Sequence, residues 1–366
     1  MDVTAYIKEY LAGYTPYKNY WNYEDGCVYK ACADLYRATG DTAYRDFTLG
    51  HMAELVQPDG SIPSFDVSRY NIDSINCGKA LFFALDETGD ERYRKAIDFH
   101  MARLLSHPRC GCGNFWHKET YPYQVWLDGL YMAQPFYMEY EHRFGGRARL
   151  QDITAQFRNV RRYLFNAEKG LNYHAWDEKR VQPWCDRETG LSPNFWLRST
   201  GWYLMALADC IGLCGEELYE HYRALVDIFR ESLRGVLRYQ NAEDRLFYQV
   251  IDHGETEGNY TETSGSAMIA YALLKGVRLG VLNPERYGPI GREVMEALMV
   301  SKLKTNAQGK VELTDICKVA GLGPGAERDG SVAYYLSEPR VSDDSKGVGP
   351  FMMAYAEYLL AKGKEG

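Results

Sequence analysis

A repeated helix boundary is the feature that most constrains the fold of this 366-residue chain. The tripeptide Thr-Gly-Asp ends at Asp41 and recurs ending at Asp90, each time after an apolar run and before a more polar one. Glycine at such a place is typical of a helix C-terminus in the left-handed conformation. The pattern therefore predicts two copies of one helical hairpin, with an apolar first helix and an amphipathic second helix.

Four more stretches continue from small or polar residues into apolar helical runs. The six apolar runs begin near Gly26, Gly78, Asp128, Ser199, Thr263 and Lys346. Helices that are apolar nearly all round are buried, and tandem hairpins bury their faces against their neighbours. Because strand signals are scarce, we expect an all-α chain: one (α/α)6 barrel of six helical hairpins over residues 1–366. An open solenoid is the alternative, but its helices would not all need to be so apolar.

The composition limits the kinds of partner that the chain is expected to bind. The net charge is −8 and no Lys/Arg-rich run occurs, which argues against nucleic acid. No apolar run reaches the length of a membrane span, and the N-terminus has no apolar signal segment. Nine cysteines, with Cys110 and Cys112 the only close pair, lack zinc-site spacing and fit reduced thiols. We expect a cytoplasmic monomer or homodimer without metal, cofactor or membrane partner.

The residues that could carry chemistry lie at or just before the apolar helices. They include Asp73, Asp128, Arg198, Glu262, Asp343 and Asp344. In a barrel of parallel inner helices these starts share one rim, where helix N-termini favour an anion. Lys118, Arg198 and two histidines add positive charge there, while 30 Tyr and 7 Trp supply flat surfaces for sugar rings. The rim therefore predicts a small acidic sugar as the substrate.

Asp128 lies between an apolar run and a glycine, in the stretch from Trp126 to Tyr140. One interpretation is a helix N-cap, since an aspartate there satisfies free backbone amides. The other is a catalytic acid between aromatic walls, where poor solvation raises its proton affinity.

Five ordered motifs carry a resemblance to a known family. They are Trp126-Leu-Asp-Gly-Leu-Tyr-Met, Tyr173-His-Ala-Trp-Asp-Glu178, Phe195-Trp-Leu-Arg-Ser-Thr-Gly-Trp-Tyr203, Glu262-Thr-Ser-Gly-Ser-Ala-Met268 and Lys346-Gly-Val-Gly-Pro350. Over nearly its whole length the chain resembles the unsaturated rhamnogalacturonyl hydrolases (glycoside hydrolase family 105), and more distantly the unsaturated glucuronyl hydrolases. That family folds as a six-hairpin barrel.

The resemblance implies hydrolysis of a sugar that carries a C4=C5 double bond at its non-reducing end. One acid protonates the enol ether at C4, water adds at C5, and the hemiketal opens to release the aglycone. The acid would be Asp128. Asp73 would be the second carboxylate, and its like charge would keep Asp128 protonated.

The same resemblance implies which side chains hold the substrate. His117, Lys118 and His174 would hold the sugar or the water. Arg198 would contact the substrate or form a structural ion pair. The remaining substrate-binding residues are aromatic: Trp202, one helical turn after Arg198, would stack on the ring, Trp196 lies in the same motif, and Trp21 and Tyr23 would line the far wall. Residues 318–329 would close over the leaving-group side.

Two other functions remain open from the sequence. One is an inverting glycosidase for saturated glycosides, with Asp128 as the acid and Asp73 or Asp344 as the base. The other is a helical-repeat binding protein without activity, against which the chemically mixed rim argues.

Overall fold

The computed structural model describes residues 2–363, which are mostly helical. The helices are α1 (Val3–Ala12), α2 (Tyr23–Thr39), α3 (Thr42–Leu55), α4 (Asp73–Asn76), α5 (Lys79–Thr88), α6 (Glu91–Leu105), α7 (Leu127–Arg143), α8 (Leu150–Leu164), α9 (Leu197–Cys214), α10 (Tyr219–Leu237), α11 (Thr263–Arg278), α12 (Pro284–Ser301), α13 (Val332–Ser337) and α14 (Ser345–Lys362). The strands are β1 (Gln124–Trp126), β2 (Phe165–Asn166), β3 (Leu171–Asn172), β4 (Ala175–Asp177), β5 (Leu303–Thr305), β6 (Val311–Leu313), β7 (Ile316–Cys317) and β8 (Arg340–Val341).

The repeated Thr-Gly-Asp boundary is built as its residues predict. Gly40 and Gly89 end α2 and α5 with φ of 72° and 65°, a conformation that glycine adopts without strain. Asp41 and Asp90 then cap α3 and α6, each accepting a hydrogen bond from the backbone amide two residues on, at 3.0 and 2.9 Å. The two predicted hairpins are confirmed.

Six apolar elements pack against one another in succession. Helix α2 packs on α14, α14 on α11, α11 on α9, α9 on α7, α7 on α4, and α4 and α5 on α2. The amphipathic helices α3, α6, α8, α10 and α12 each pack against one or more of these elements. The prediction of a helical fold is confirmed, and the strands form only two-stranded antiparallel pairs.

The second apolar element differs from its prediction, because helix begins at Asp73 rather than near Gly78. It is interrupted between α4 and α5, around Gly78. A Cβ on Gly78 would lie 2.9 Å from both the His100 ring and the Ile75 carbonyl oxygen. Glycine therefore permits the close packing of α6 at this break, and α4 brings Asp73 to the rim.

Within residues 2–363, no helix is both long and apolar enough to cross a membrane. Buried apolar side chains of the packed helices form the main core. A smaller buried cluster lies beside it and contains Trp126, Trp184, Trp196 and Tyr335. It supports the strands and loops that lead into α7 and α9.

Candidate active site

A cavity of about 260 Å³ lies where the first turns of α2, α4, α7 and α9 converge. It brings together nine of the predicted site residues: Trp21, Tyr23, Asp73, His117, Lys118, Asp128, Trp196, Arg198 and Trp202. His174 is the one predicted site residue that does not line it. Four of the helix starts therefore meet at one rim, whereas Glu262, Asp343 and Asp344, which were also predicted there, do not line the cavity.

Asp128 does not cap a helix, so that interpretation is wrong. Helix α7 begins at Leu127, its N-cap is Trp126, and no side chain caps it. Asp128 lies in the first turn, where its Oδ2 makes no hydrogen bond and faces Nε2 of His174 at 3.4 Å. That nitrogen is likewise without a hydrogen-bond partner. Oδ2 is therefore buried towards His174, and Asp128 meets the cavity through the rest of its side chain, which is 14% exposed.

His174 lies behind Asp128, fully buried. Its Nδ1 pairs with the hydroxyl of Tyr335 at 2.8 Å, and its ring packs edge-on against Trp126. The backbone of His174 is fixed as well, since its carbonyl accepts the amide of Leu127 at 3.1 Å. The predicted direct contact with the sugar is replaced by a contact with the predicted acid.

Asp73 is the second predicted carboxylate at the cavity, and it is ion-paired. It begins α4 without capping it, and its Oδ2 lies 2.6 Å from Nζ of Lys118. Nε2 of His117 lies 3.8 Å from the other oxygen. Burial raises the pKa of Asp73, but Lys118 and His117 outweigh burial and hold the pKa below its ordinary value. The like charge predicted beside Asp128 is therefore compensated by a lysine.

His117 is clamped in an aromatic stack. Its ring lies parallel to Trp126, with centroids 4.4 Å apart, and the Tyr121 ring stacks near both, with its centroid 5.0 Å from Trp126 and 6.2 Å from His117. Burial lowers the pKa of His117 to about 4, despite the attraction of Asp73, so the ring is neutral at pH 7. A Cβ on Gly129 would lie 3.3 Å from Nδ1 of His117, so the glycine after Asp128 makes room for this ring.

Arg198 forms the predicted structural ion pair and also lines the cavity, so contact with the substrate stays a prediction. Its Nε donates to Ser264 at 2.7 Å, and Nη2 lies 3.4 Å from Glu262 and donates to the carbonyl of Cys317. Burial lowers the pKa of Arg198, but Glu262 outweighs it and the net pKa is raised. Glu262 also caps α11 through the amide of Gly265 at 2.7 Å.

Asp344 makes contacts at the start of α14 rather than in the cavity. It caps α14 through the amide of Lys346 at 2.9 Å, and its carboxylate pairs with Nζ of that lysine at 2.8 Å. Asp343 accepts from the hydroxyl of Tyr6 at 2.7 Å. Neither residue lines the cavity, so Asp344 is not placed to act as a base there.

The aromatic wall is held rigidly from behind. Trp202 stacks on Tyr131 with centroids 4.7 Å apart. The indole of Trp196 donates to Gln249 at 3.1 Å, and that of Trp21 donates to the Ser74 carbonyl at 2.9 Å. These rings form a preset surface beside Asp128.

Several residues that line the cavity were not predicted from the sequence. They are Lys18, Tyr20, Asn22, Glu24, Asn71, Ser74, Tyr121, Trp126, Met132, Val319, Ala320, Gly321 and Arg328. A signal existed for some of them: Trp126 belongs to the Asp128 motif, and Arg328 lies in the segment 318–329. Lys18 and Glu24 flank Trp21 and Tyr23 and pair at 2.6 Å, a link that the sequence does not reveal.

Comparison with known proteins agrees with this geometry. The model of Glycosyl Hydrolase Family 88 matches residues 3–362. The chain belongs to this family. It is therefore classed as a glycoside hydrolase.

Individual members of the family are similar over different lengths. A family 105 glycoside hydrolase structure from Clostridium acetobutylicum is 42% identical, covers 98% of this chain and 99% of its own, and superposes with a TM-score of 0.92. The unsaturated rhamnogalacturonyl hydrolase YesR of Bacillus subtilis is 27% identical over 71% of this chain and 72% of its own. The unsaturated glucuronyl hydrolase of Bacillus sp. GL1 is 16% identical over 94% of this chain and 88% of its own, with a TM-score of 0.64. This last likeness concerns the fold alone.

Proposed function

We propose that this glycoside hydrolase removes a 4,5-unsaturated galacturonyl residue from the non-reducing end of rhamnogalacturonan oligosaccharides. The observation that carries the proposal is the position of Asp128 on the wall of an aromatic-lined cavity: its side chain is 14% exposed, and because Oδ2 is buried against His174, Oδ1 is the oxygen left for a substrate. A general acid needs a carboxyl oxygen that is free to reach the substrate. Asp128 protonates C4 of the enol ether, water adds at C5, and the resulting hemiketal opens and expels the aglycone.

The charges around the cavity support an acidic sugar. Lys18, Lys118, Arg198 and Arg328 line it, facing Glu24, Asp73 and Asp128. Cations in a cavity that also receives helix N-termini favour a carboxylate ligand. The volume of about 260 Å³ is at the small end for ligand sites, which favours one terminal sugar ring over a long chain.

The other site residues divide the remaining tasks. Ionised Asp73, oriented by Lys118, accepts a hydrogen bond from the sugar or the attacking water, and neutral His117 lies beside it, with Nε2 3.8 Å from the Asp73 carboxylate. His174 orients Asp128 from behind. Trp196, Trp202, Trp21 and Tyr23 pack against the ring.

The similarity to YesR supports galacturonyl over other uronyl groups. The alternative is an unsaturated glucuronyl substrate of the ulvan or glycosaminoglycan type. Inverting hydrolysis of a saturated glycoside is less well supported, because it needs a second carboxylate as base and Asp73 is already paired with Lys118.

We further propose that residues 1–366 are one (α/α)6-barrel catalytic domain. In this barrel α1 pairs with α14, against which Tyr6 packs edge-on at Phe351, and it thus completes the sixth hairpin. The protein acts in the cytoplasm as a monomer or homodimer, without a cofactor.

The test is a substrate panel followed by the ultraviolet absorbance of the conjugated C4=C5 bond. Unsaturated disaccharides from rhamnogalacturonan, glycosaminoglycan and ulvan lyases are compared with saturated aryl uronides and aryl glycosides. We expect the absorbance to fall fastest with the rhamnogalacturonan product. Faster loss with a glucuronyl product would shift the substrate assignment, and hydrolysis of saturated glycosides alone would overturn the proposal.

A further inference from the structure

A second cluster of reactive side chains lies outside the cavity. It consists of Cys110, Cys112 and Glu178, whose sulfur atoms and one carboxylate oxygen all lie within 4.8 Å of one another. Among residues 2–363, it is the one group of three or more histidine, cysteine or acidic side chains gathered so closely. The cysteine pair alone lacked zinc-site partners in the sequence, since Glu178 follows Cys112 by 66 residues.

The loop is shaped to receive the carboxylate. The amide of Gly113 donates to the Cys110 carbonyl at 2.9 Å and closes a tight turn. Glu178 accepts the amides of Gly111 and Cys112 at 2.9 and 3.2 Å. A Cβ on Gly111 would lie 3.2 Å from Oε1 of Glu178, so glycine lets the carboxylate lie close to the turn. Each carboxylate oxygen keeps a second lone pair.

We propose that Cys110, Cys112 and Glu178 bind one zinc ion, with water as the fourth ligand. Zinc prefers thiolate, imidazole and carboxylate ligands at about 2.3 Å for sulfur and about 2.0–2.2 Å for oxygen. Tetrahedral ligand atoms at those lengths are about 3.5–3.8 Å apart. A cluster already within 4.8 Å therefore closes on the ion by small side-chain movements.

Binding is a simple exchange of protons for metal. Each thiol releases its proton to solvent and gives a sulfur–zinc bond, and nothing is oxidised or reduced. Cys112 and Glu178 are half-buried, which gives the ion an entry path, whereas Cys110 is buried. Asn159 holds the turn in place, since its Nδ2 donates to the Cys112 carbonyl and to Asn114 at 2.8 Å each.

The ion would tie together two segments that carry active-site residues. The cysteine loop continues along the chain into His117 and Lys118, and Glu178 follows β4, which begins just after His174. Strand β4 pairs with β1, directly before Asp128. A zinc ion here is structural: it fastens the backbone that positions the two histidines.

The test uses the full-length, reduced, chelator-treated protein with zinc chloride or cobalt chloride. Zinc affinity is measured in competition with a chromogenic chelator, and cobalt reports thiolate ligands by charge-transfer absorbance. Cys112→Ser and Glu178→Gln are the test variants. Cys214→Ala, which removes a buried thiol at the end of α9, is the matched control.

We expect one equivalent of metal, with thiolate charge-transfer absorbance and a raised Tm, in the wild type and in Cys214→Ala. We expect zinc affinity to fall by about 100-fold in Cys112→Ser and about 10-fold in Glu178→Gln. Circular dichroism establishes that the variants are folded, and Glu178→Gln retains both thiols. Absence of the charge-transfer band in the wild type, or equal affinity in all four proteins, would overturn the proposal.

Discussion

The two ends of the packed helices both open into charged cavities, but they use charge differently. The far cavity, of about 350 Å³, is lined by the later halves of α2, α7, α9, α11 and α14 and by the first turns of α5. Its ion pairs are short: Lys275 to Asp209, Lys30 to Asp34, and Arg278 to Glu357 all lie at 2.6 Å. Basic side chains near helix C-termini also balance the negative ends of the helix dipoles.

At the near cavity, three polar atoms around the predicted acid make no hydrogen bond: Asp128 Oδ2, His174 Nε2 and His117 Nδ1. A buried polar atom without a partner costs about 1–3 kcal/mol. At the far end Asp209 Oδ2 is also unpaired, but its Oδ1 binds both Lys275 and Tyr271. The near end thus leaves more polar atoms unpaired around Asp128, which is typical of functional sites, whereas the charges of the far end lie mostly in short ion pairs.

The two cavities are joined by one column of side chains. Trp202 lines the near cavity and stacks on Tyr131, and Nζ of Lys79 lies 3.4 Å from the centre of the Tyr131 ring. Lys79 lines the far cavity, where burial lowers its pKa to about 7 although Asp209 opposes this. Variants on either side of this column therefore separate the roles of the two ends.

The largest expected effect is on turnover at the near end. Asp128→Asn keeps the shape of the side chain but removes the proton donor, so we expect kcat to fall by about 10³-fold. Its free energy of unfolding should stay near the wild-type value, because the lost oxygen made no hydrogen bond. Steady-state kinetics and urea unfolding measure both quantities. A loss of activity below tenfold would contradict the assignment.

At the far end we expect the opposite result, a loss of stability without a loss of turnover. Asp209→Asn leaves Lys275, Lys30 and Lys79 without their shared carboxylate, and we expect the free energy of unfolding to fall by about 3–5 kcal/mol. The kcat of the folded enzyme should be unchanged. Asp128→Asn serves as the opposite control in the same assays. If kcat falls in parallel with stability, the two ends do not have separate roles.

Removing Lys118 should change how stability depends on pH. In the wild type the pKa of Asp73 is lowered, so its contribution is present above the ordinary value of 3.8 and is lost as the pH falls through the folded pKa. In Lys118→Met, burial becomes dominant and raises the pKa of Asp73 above that of the unfolded chain. We expect a deficit in unfolding free energy of about 2 kcal/mol at pH 7, shrinking towards pH 4.

Urea unfolding at several pH values measures this deficit. The matched control is Lys118→Met combined with Asp73→Asn, which has no carboxyl group to titrate and should show a deficit independent of pH. A constant deficit in the single variant would mean that Lys118 does not act on Asp73.

The smallest effect is expected at the aromatic wall. Trp202→Phe keeps a ring but loses part of the surface facing the cavity, and an aromatic contact is worth about 0.5–1.5 kcal/mol. We therefore expect KM to rise about threefold to tenfold with kcat nearly unchanged. Tyr131→Phe, which preserves the stack behind Trp202 and does not line the cavity, is the control and should leave KM unaltered.

The hairpins and the rim could be predicted because their signals are local. A glycine followed by aspartate marks one helix end and the next helix start, as at Gly40 and Asp41. Cap assignment failed where it depended on a single residue: α7 begins just before Asp128, whereas α11 begins just after Glu262. Two carboxylates at similar positions in their motifs therefore have different roles: Glu262 caps its helix and Asp128 does not.

Contacts between distant segments were beyond sequence reasoning. An isolated β-bridge between Lys118 and Asn71 brings the Lys118 side chain to Asp73. Neither segment carries a sequence signal for that pairing. His174 lies behind Asp128 because β4 pairs with β1. The resemblance and the position near the helix starts identified these residues, but which one faces the sugar depends on strand register.

The central claim is that Asp128 protonates the double bond before the aglycone leaves. The most direct measurement mixes excess enzyme with an unsaturated rhamnogalacturonan disaccharide and follows C4=C5 absorbance by stopped flow and free aglycone by quenched flow. We predict that absorbance decays before or together with aglycone release in the wild type, and that neither occurs at a comparable rate in Asp128→Asn. Release of aglycone while the absorbance persists would contradict the account.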